Sequence, residues 1–148
     1  PAGAFTLEPS DRPLVLTSGG VGITPTLAML EAALKTTRAV HFIHCARTRG
    51  VHAFRNAIDA LAHKHPQLER FYCYEEVAKD ATQADAPHAV GRIDAQKLAQ
   101  GLPATRDVDA YFLGPKPFMQ QVKTALRTLG VPDKQARYEF FGPAAALE

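Results

Sequence analysis

The chain has 148 residues, of which 46% are hydrophobic and 22% are charged. That balance is typical of a globular domain and excludes wholesale disorder and collagen-like structure. Lys and Arg number 17 and Asp and Glu number 15, so the formal charge of +2 gives no reason to expect nucleic acid as a partner. No apolar run approaches the roughly 20 residues of a spanning helix, so we expect no membrane span.

The cysteine content and the first residues indicate the setting of the chain. Cys45 and Cys73 are its two cysteines, too few for a disulfide-stabilised secreted scaffold, which favours reduced thiols and a cytoplasmic location. The chain starts at Pro1 without a signal-peptide pattern, and we expect it to be a piece of something longer. Residues 1–12 are predicted to be the tail of a preceding domain and a linker, and residues 13–148 to be the domain itself.

Strand and helix patterns alternate along the chain. Short apolar runs predict five strands, at 14–17, 39–45, 68–74, 110–113 and 137–141. Apolar residues at helical spacing predict the intervening helices, marked by Leu27, Leu30 and Leu34, by Phe54, Ile58 and Leu61, and by Phe118, Val122, Leu126 and Leu129. A short helix is predicted at 94–99 and a loop at 78–92, while Thr24 is expected to cap the first helix and Pro25 to occupy its first position. The pattern predicts an α/β fold: a five-stranded parallel sheet with helices on both faces.

The most informative turn follows the first strand. In parallel α/β sheets ligands bind beyond the carboxyl ends of the strands, and residues 18–25 read Ser-Gly-Gly-Val-Gly-Ile-Thr-Pro. Glycines let a ligand approach bare N–H groups, and a helix N-terminus favours a diphosphate. The alternative is a tight turn that binds nothing. No Gly-Lys-Ser/Thr is present for a Walker loop, and the Rossmann fingerprint fails because Pro25 replaces its third glycine and no carboxylate ends the second strand.

Four segments, in this order, resemble the nicotinamide-binding domain of the ferredoxin-reductase superfamily. They are the glycine turn, a strand ending in Arg47, Gly-Pro-Lys-Pro-Phe-Met at 114–119, and Tyr-Glu-Phe-Phe-Gly-Pro at 138–143. Residues 44–54 and the final segment are similar to the flavohaemoglobins, which fuse a globin to an FAD domain and an NAD(P)H domain. The resemblance implies that NADH or NADPH gives hydride to FAD, which reduces haem for the conversion of nitric oxide and oxygen to nitrate.

The resemblance also implies roles for individual residues. Backbone groups of the turn would hold the pyrophosphate of NAD(P)H, at Ser18, Gly19, Gly20, Val21, Gly22, Ile23, Thr24 and Pro25. Gly114, Pro115 and Met119 would lie beside the nicotinamide and its ribose, although Leu113 stands where many relatives carry cysteine. Arg47 would contact the adenosine ribose or its 2′-phosphate, since guanidinium groups suit a phosphomonoester. The alternative for the segment after residue 114 is a helix that only packs into the core. The alternative for Arg47 is a solvated loop side chain that contacts no cofactor.

The last segment would reach the flavin. Phe140, Phe141, Gly142 and Pro143 would contact FAD, with Phe141 over the isoalloxazine face. Glu139 would tune the flavin potential, because a nearby carboxylate disfavours an anionic reduced flavin. From the residues alone, the favoured alternative is that Glu139 is a polar residue on an edge strand beside core aromatic residues. The implied partners are the FAD-binding and globin domains of the same polypeptide, and no metal ligand is expected among the histidines of this chain.

Two further functions stay open. The chain could be the reductase component of another flavin electron-transfer system, such as an iron–sulfur oxygenase reductase, or a nucleotide-binding module without redox work. The upstream sequence distinguishes these possibilities, since each requires different neighbouring domains. In every case the isolated chain is expected to bind nicotinamide nucleotides weakly and to catalyse nothing.

Overall fold

The computed structural model describes residues 7–138 and folds them as strands alternating with helices. The strands are β1 (Leu14–Gly19), β2 (Val40–Ala46), β3 (Leu68–Tyr74), β4 (Ala89–Val90), β5 (Asp109–Leu113) and β6 (Ala136–Tyr138). The helices are α1 (Ile23–Ala33), α2 (Arg55–Lys64), α3 (Ala95–Gly101) and α4 (Lys116–Thr128). The predicted α/β class is confirmed.

The strands form one parallel sheet in the order β4-β3-β2-β1-β5-β6. The chain therefore winds from β1 out to β4 and then returns to the other side of β1 for β5 and β6. Gly19 lies opposite Cys45 of β2, and Ser18 lies opposite Leu113 of β5. The strand order reverses between β1 and β5, and such a reversal opens a crevice beyond the carboxyl ends of the strands.

Apolar side chains cover both faces of the sheet. Val15 and Ile43 pack in one cluster with residues of α3 and α4. Leu16 and Phe42 pack in another with residues of α1 and α2, including Ile58. Full burial of a large apolar side chain contributes roughly 1.5–3 kcal/mol, so the central strands form a rigid base for the turns at their ends.

The predicted number of strands was wrong, because the structure has six within residues 7–138 rather than five. The additional strand, β4, has two residues and lies in the segment that was predicted to be a loop. A run this short carries no period-two signal, and it is held by tertiary pairing, including a 2.8 Å hydrogen bond from the N–H of Gly91 to the carbonyl of Tyr74. The last predicted strand corresponds to β6, and residues 139–141 lie outside the described residues.

Two expectations about helix starts were also wrong. Helix α1 begins at Ile23 with Gly22 in the capping position, so Thr24 and Pro25 lie inside the first turn. Proline is tolerated there because the first N–H groups of a helix have no intrahelical partner. Phe54 does not lie on the buried face of α2: it precedes the helix with φ at 62° and is 49% exposed.

A buried carboxylate ties together the amino ends of the strands. Asp109 is 1% exposed, and its oxygens accept hydrogen bonds from Arg38 Nη2 at 2.7 Å and from Arg137 Nη1 at 3.1 Å. Burial acts to raise the pKa of Asp109, but hydrogen bonds from Ser10 and Arg137 and the two arginine charges outweigh it and lower that pKa. The carboxylate is therefore ionised at neutral pH and balances the charges of Arg38 and Arg137, while Arg12 Nη1 lies 3.6 Å from its Oδ1.

We expect Asp109→Asn to lower the free energy of unfolding at neutral pH by about 3 kcal/mol, because Arg38 and Arg137 would face each other without a counter-charge. Urea denaturation measures the change. Asp133→Asn is the matched control, since Asp133 pairs with Arg127 at 3.2 Å on the surface and such pairs contribute about 1 kcal/mol or less. Equal losses in both variants would show that burial of the Asp109 cluster has no effect.

Candidate functional site

A cavity of about 670 Å³ opens at the carboxyl end of the sheet, within the range of roughly 300–1,000 Å³ typical of cofactor sites. We call it the strand-end pocket. The turn after β1 lines it with Gly19, Gly20, Val21, Ile23 and Thr24, the end of β2 and the segment after it with Cys45, Ala46, Arg47, Val51, Ala53 and Phe54, and the start of α4 with Pro115, Pro117, Phe118 and Gln121. Cys73, Glu75, Gly91, Arg92 and Ile93 complete the lining.

Glycine is required in the turn for two different reasons. Gly20 has φ at +55° and open space around the position of a Cβ. Gly22 instead packs against the end of β5. A Cβ added at Gly22 would lie only 2.3 Å from the carbonyl oxygen of Leu113, so no larger residue fits there. The turn thereby brings the first residues of α1, Ile23 and Thr24, to the pocket wall, where the N–H groups and positive dipole end of a helix suit paired phosphates.

The structure places the side chain of Met119, which was predicted to lie beside the nicotinamide, away from the strand-end pocket. Its side chain is fully buried in the cluster beneath α4 and does not line the strand-end pocket. Pro115 does line it, together with Pro117 and Phe118. Gly114 allows close packing, since a Cβ there would lie 2.6 Å from the Phe118 ring. The wall beside β5 is therefore formed by prolines and an aromatic ring.

Other predicted residues lie in three different environments. Ser18 is buried behind the turn, with its Oγ 2.7 Å from Nδ1 of His44, so its side chain does not reach the pocket. Arg47 lines the pocket with an exposed side chain, whose Nε lies 3.7 Å from Glu76 Oε2. Pro25 is half-buried in the first turn of α1. The predicted flavin-contacting residues lie outside the described residues: Glu139, Phe140, Phe141, Gly142 and Pro143.

Sequence reasoning missed part of the pocket. Val51 and Phe54 form an exposed apolar wall near Arg47, being 64% and 49% exposed. The spacing of Phe54 from Ile58 suggested a helix face, and no sequence signal marks its left-handed backbone. Cys45 and Cys73 were interpreted only as reduced thiols, and their position at the ends of two neighbouring strands was the signal that could have placed them at the site.

A layer of buried polar side chains supports the turn from behind. The His44 ring lies 4.3 Å from the His52 ring, and His52 Nδ1 lies 2.7 Å from the Tyr74 hydroxyl. Arg55 donates to that hydroxyl at 2.8 Å. Burial lowers the pKa of His44 to about 4, and burial with nearby positive charges lowers that of His52 to about 3. Both imidazoles are therefore neutral at pH 7.

The part of the chain that the structure describes contains neither a cluster of metal ligands nor a membrane-spanning helix. Between residues 7 and 138, no three His, Cys, Asp or Glu side chains are grouped so that they could hold a metal ion. Over the same residues, every helix is too short or too polar to cross a membrane.

Known proteins are similar to this chain in sequence and in structure. The chain is 67% identical over 148 residues to a flavohemoprotein of Pseudomonas putida and 66% identical to one of Burkholderia sp. strain TH2, covering all of this chain and 37% of each relative. The FAD/NAD-binding domain of a nitric oxide dioxygenase from Vibrio cholerae superposes with a TM-score of 0.81 at 30% identity, covering 96% of this chain and 56% of that one. Flavohemoglobin from Malassezia yamatoensis, solved with FAD and heme, gives 0.72 at 28% identity, covering 89% and 32%.

These relatives confirm the resemblance that the four sequence segments indicated. The chain spans 37% of the length of the flavohemoproteins that it matches. The family model for the oxidoreductase NAD-binding domain matches residues 16–124, which include the glycine turn and most of α4. The chain belongs to the oxidoreductase NAD-binding domain family.

Proposed function

We propose that this chain is the NAD(P)H-binding reductase module of a cytoplasmic flavohaemoprotein, with residues 13–148 as the module. It would deliver hydride to FAD held by a preceding domain, and the FAD would reduce haem in a globin domain for nitric oxide dioxygenation. The observation that carries the proposal is the strand-end pocket, which joins a glycine turn and a helix N-terminus to an apolar wall on each side. The flavohemoprotein relatives leave room in their length for both partner domains.

The residues present fit a dinucleotide. The turn at Gly20 to Thr24 would hold the pyrophosphate through N–H groups, and Pro115 and Phe118 would position the nicotinamide end. The nicotinamide ring supplies the hydride when the cofactor is bound. The task of this chain is to fix that ring and exclude water, since hydride transfer needs the reacting atoms roughly 3–3.5 Å apart.

The opposite end of the pocket suits adenosine. Phe54 presents an exposed ring, although a left-handed backbone costs a non-glycine residue about 1–2 kcal/mol. An adenine ring stacked on Phe54 would cover that apolar surface. Arg47 lies on the same side of the pocket, where its guanidinium would meet the ribose or a 2′-phosphate, so both NADH and NADPH are candidate donors.

We expect Phe54→Gly to weaken binding of NAD⁺ to the chain about tenfold, because stacking on an aromatic ring contributes roughly 1–3 kcal/mol per base. Stability should change by less than about 1 kcal/mol, since glycine adopts a positive φ without strain and this offsets the lost partial burial. Calorimetric titration with NAD⁺ measures the affinity. Val90→Ala is the control, because Val90 is also an exposed apolar residue but does not line the pocket. An unchanged affinity in Phe54→Gly would contradict the adenine assignment.

Stopped-flow reduction of FAD by NADH and NADPH in the intact protein tests the function itself. We expect Phe141→Ala to change the rate of hydride transfer and Glu139→Gln to raise the flavin potential, because removal of a carboxylate favours the anionic reduced flavin. Unchanged rates and potentials in both variants would remove the assignment of the last segment. If neither nucleotide reduced the flavin of the wild-type protein, the reductase proposal would fail.

A further inference from the structure

Two thiols meet inside the strand-end pocket. Cys45 of β2 and Cys73 of β3 are directly paired in the parallel sheet, and both line the pocket. Both are free, and their side chains hydrogen-bond to each other. They are the two cysteines of the chain, and the proposed hydride transfer uses neither of them.

The geometry permits a bond between the two sulfurs. Neighbouring strands lie about 4.8 Å apart, and disulfides join Cα atoms roughly 4.4–6.8 Å apart. The Cα separation of these register partners therefore falls within the range that a disulfide spans.

The two thiols differ in access. Cys45 is half-buried and open to the pocket, whereas Cys73 is 1% exposed and its Sγ lies 3.2 Å from the carbonyl oxygen of Gly91. The hydrogen bond between the thiols lowers the pKa of Cys73 and raises that of Cys45, because one S–H stabilises the neighbouring thiolate. One thiolate can thus form within the pair, on Cys73, and the accessible Cys45 becomes a thiolate when it passes its proton to Cys73 along the hydrogen bond.

We propose that Cys45 is a thiol–disulfide exchange site for small disulfides, with Cys73 as the resolving thiol. In the first step the Cys45 thiolate attacks one sulfur of the small disulfide, forms a mixed disulfide and releases a thiolate. In the second step Cys73 loses its proton to solvent and attacks the Cys45 sulfur, which forms the Cys45–Cys73 bond and releases the second thiolate. The protein loses two electrons and two protons, and the small disulfide takes up the electrons.

The same site faces the dinucleotide of the proposed function, on which this part of the inference rests. Gly19 of the turn is the register partner of Cys45, so a group attached to Cys45 would occupy space beside the pyrophosphate. A bound dinucleotide would in turn block the approach of the small disulfide. At ten times its dissociation constant, NAD⁺ leaves roughly one eleventh of the sites open, so the exchange should slow about tenfold.

The experiment treats the folded chain with glutathione disulfide, blocks the remaining thiols with iodoacetamide and maps the tryptic peptides 39–47 and 71–79 by mass spectrometry. We expect the two peptides to become linked in the wild type. In Cys73→Ser we expect glutathione to remain on peptide 39–47, and in Cys45→Ser we expect neither product. A parallel series contains NAD⁺ at ten times its dissociation constant, which is measured separately by calorimetry.

Each result decides one part of the inference. If neither the linked peptides nor the mixed disulfide form while the chain still binds NAD⁺, the exchange site is overturned and the proposed function stands. Glutathione found on peptide 71–79 in Cys45→Ser would overturn the assignment of Cys45 as the attacking thiol. Thiol–disulfide exchange at an unchanged rate in the presence of NAD⁺ would contradict the claim that the dinucleotide and the small disulfide compete for the same pocket. A chain that does not bind NAD⁺ would instead contradict the proposed function, and the peptide map would still decide the thiol chemistry.

Discussion

Replacement of Gly22 by alanine is expected to remove measurable NAD⁺ binding by the chain and to lower its free energy of unfolding by about 3 kcal/mol. A Cβ at this position would lie 2.3 Å from the carbonyl oxygen of Leu113 and 2.6 Å from its carbonyl carbon. Both atoms belong to the backbone of a buried strand, so no side chain can rotate away. The turn after β1 and the end of β5 would have to separate.

That separation would disrupt the pocket because the turn forms one wall and the segment after β5 forms another. The N-terminus of α1 would move away from Pro115, so the two ends of a dinucleotide could no longer be held together. Since binding depends on groups from both walls, we expect affinity to fall more than a hundredfold, or about 2.7 kcal/mol. Titration with NAD⁺ and urea denaturation measure the two effects.

Two other glycines provide controls for Gly22. At Gly50 the nearest atom to an added Cβ is Thr48 Oγ1 at 3.8 Å, so Gly50→Ala should change stability by less than about 0.5 kcal/mol. At Gly20 space is open but φ is +55°, so Gly20→Ala should cost about 1 kcal/mol through backbone strain alone. A Gly22→Ala chain that bound NAD⁺ as tightly as the wild type would show that the contact with β5 does not set the turn.

The sequence predicts best those elements that polar residues bound on both sides. β3 was predicted with the boundaries that the structure has, and the polar residues Gln67 and Glu75 flank it on its two sides. β4 left no pattern, since it has two residues, one half-buried and one exposed, and its place in the sheet depends on pairing with β3. Met119 shows a signal that was available: it shares a helical face with Val122 and Leu126, and that face is the buried one.

The candidate site also has parts that the sequence predicts and parts that depend on tertiary structure. The turn at residues 18–25 could be predicted because tight strand–helix connections restrict residue type strongly. The pairing of Cys45 with Cys73 depends on strand register, and the exposure of Phe54 depends on one left-handed residue. Neither property follows from local composition, so these parts of the pocket required the structure.

The buried histidines are expected to make the chain lose about 4 kcal/mol of stability between pH 7 and pH 5. In the unfolded chain both imidazoles take up protons near the ordinary pKa of 6.5, whereas in the folded chain the pKa values of His44 and His52 are about 4 and about 3. Their stabilising contribution is therefore present above pH 6.5 and falls as the pH drops towards 4, by about 2 kcal/mol each at pH 5. That loss is large beside the roughly 5–15 kcal/mol that stabilise a typical domain.

Asparagine variants isolate this effect because the asparagine amide can replace Nδ1 of histidine without titrating. His44→Asn would keep a partner for Ser18, and His52→Asn would keep one for Tyr74. Each variant should lose about 2 kcal/mol less stability than the wild type between pH 7 and pH 5, measured by urea denaturation at each pH. Wild-type slopes in both buried variants would assign the acid sensitivity to other groups, because a residue that no longer titrates cannot contribute to it.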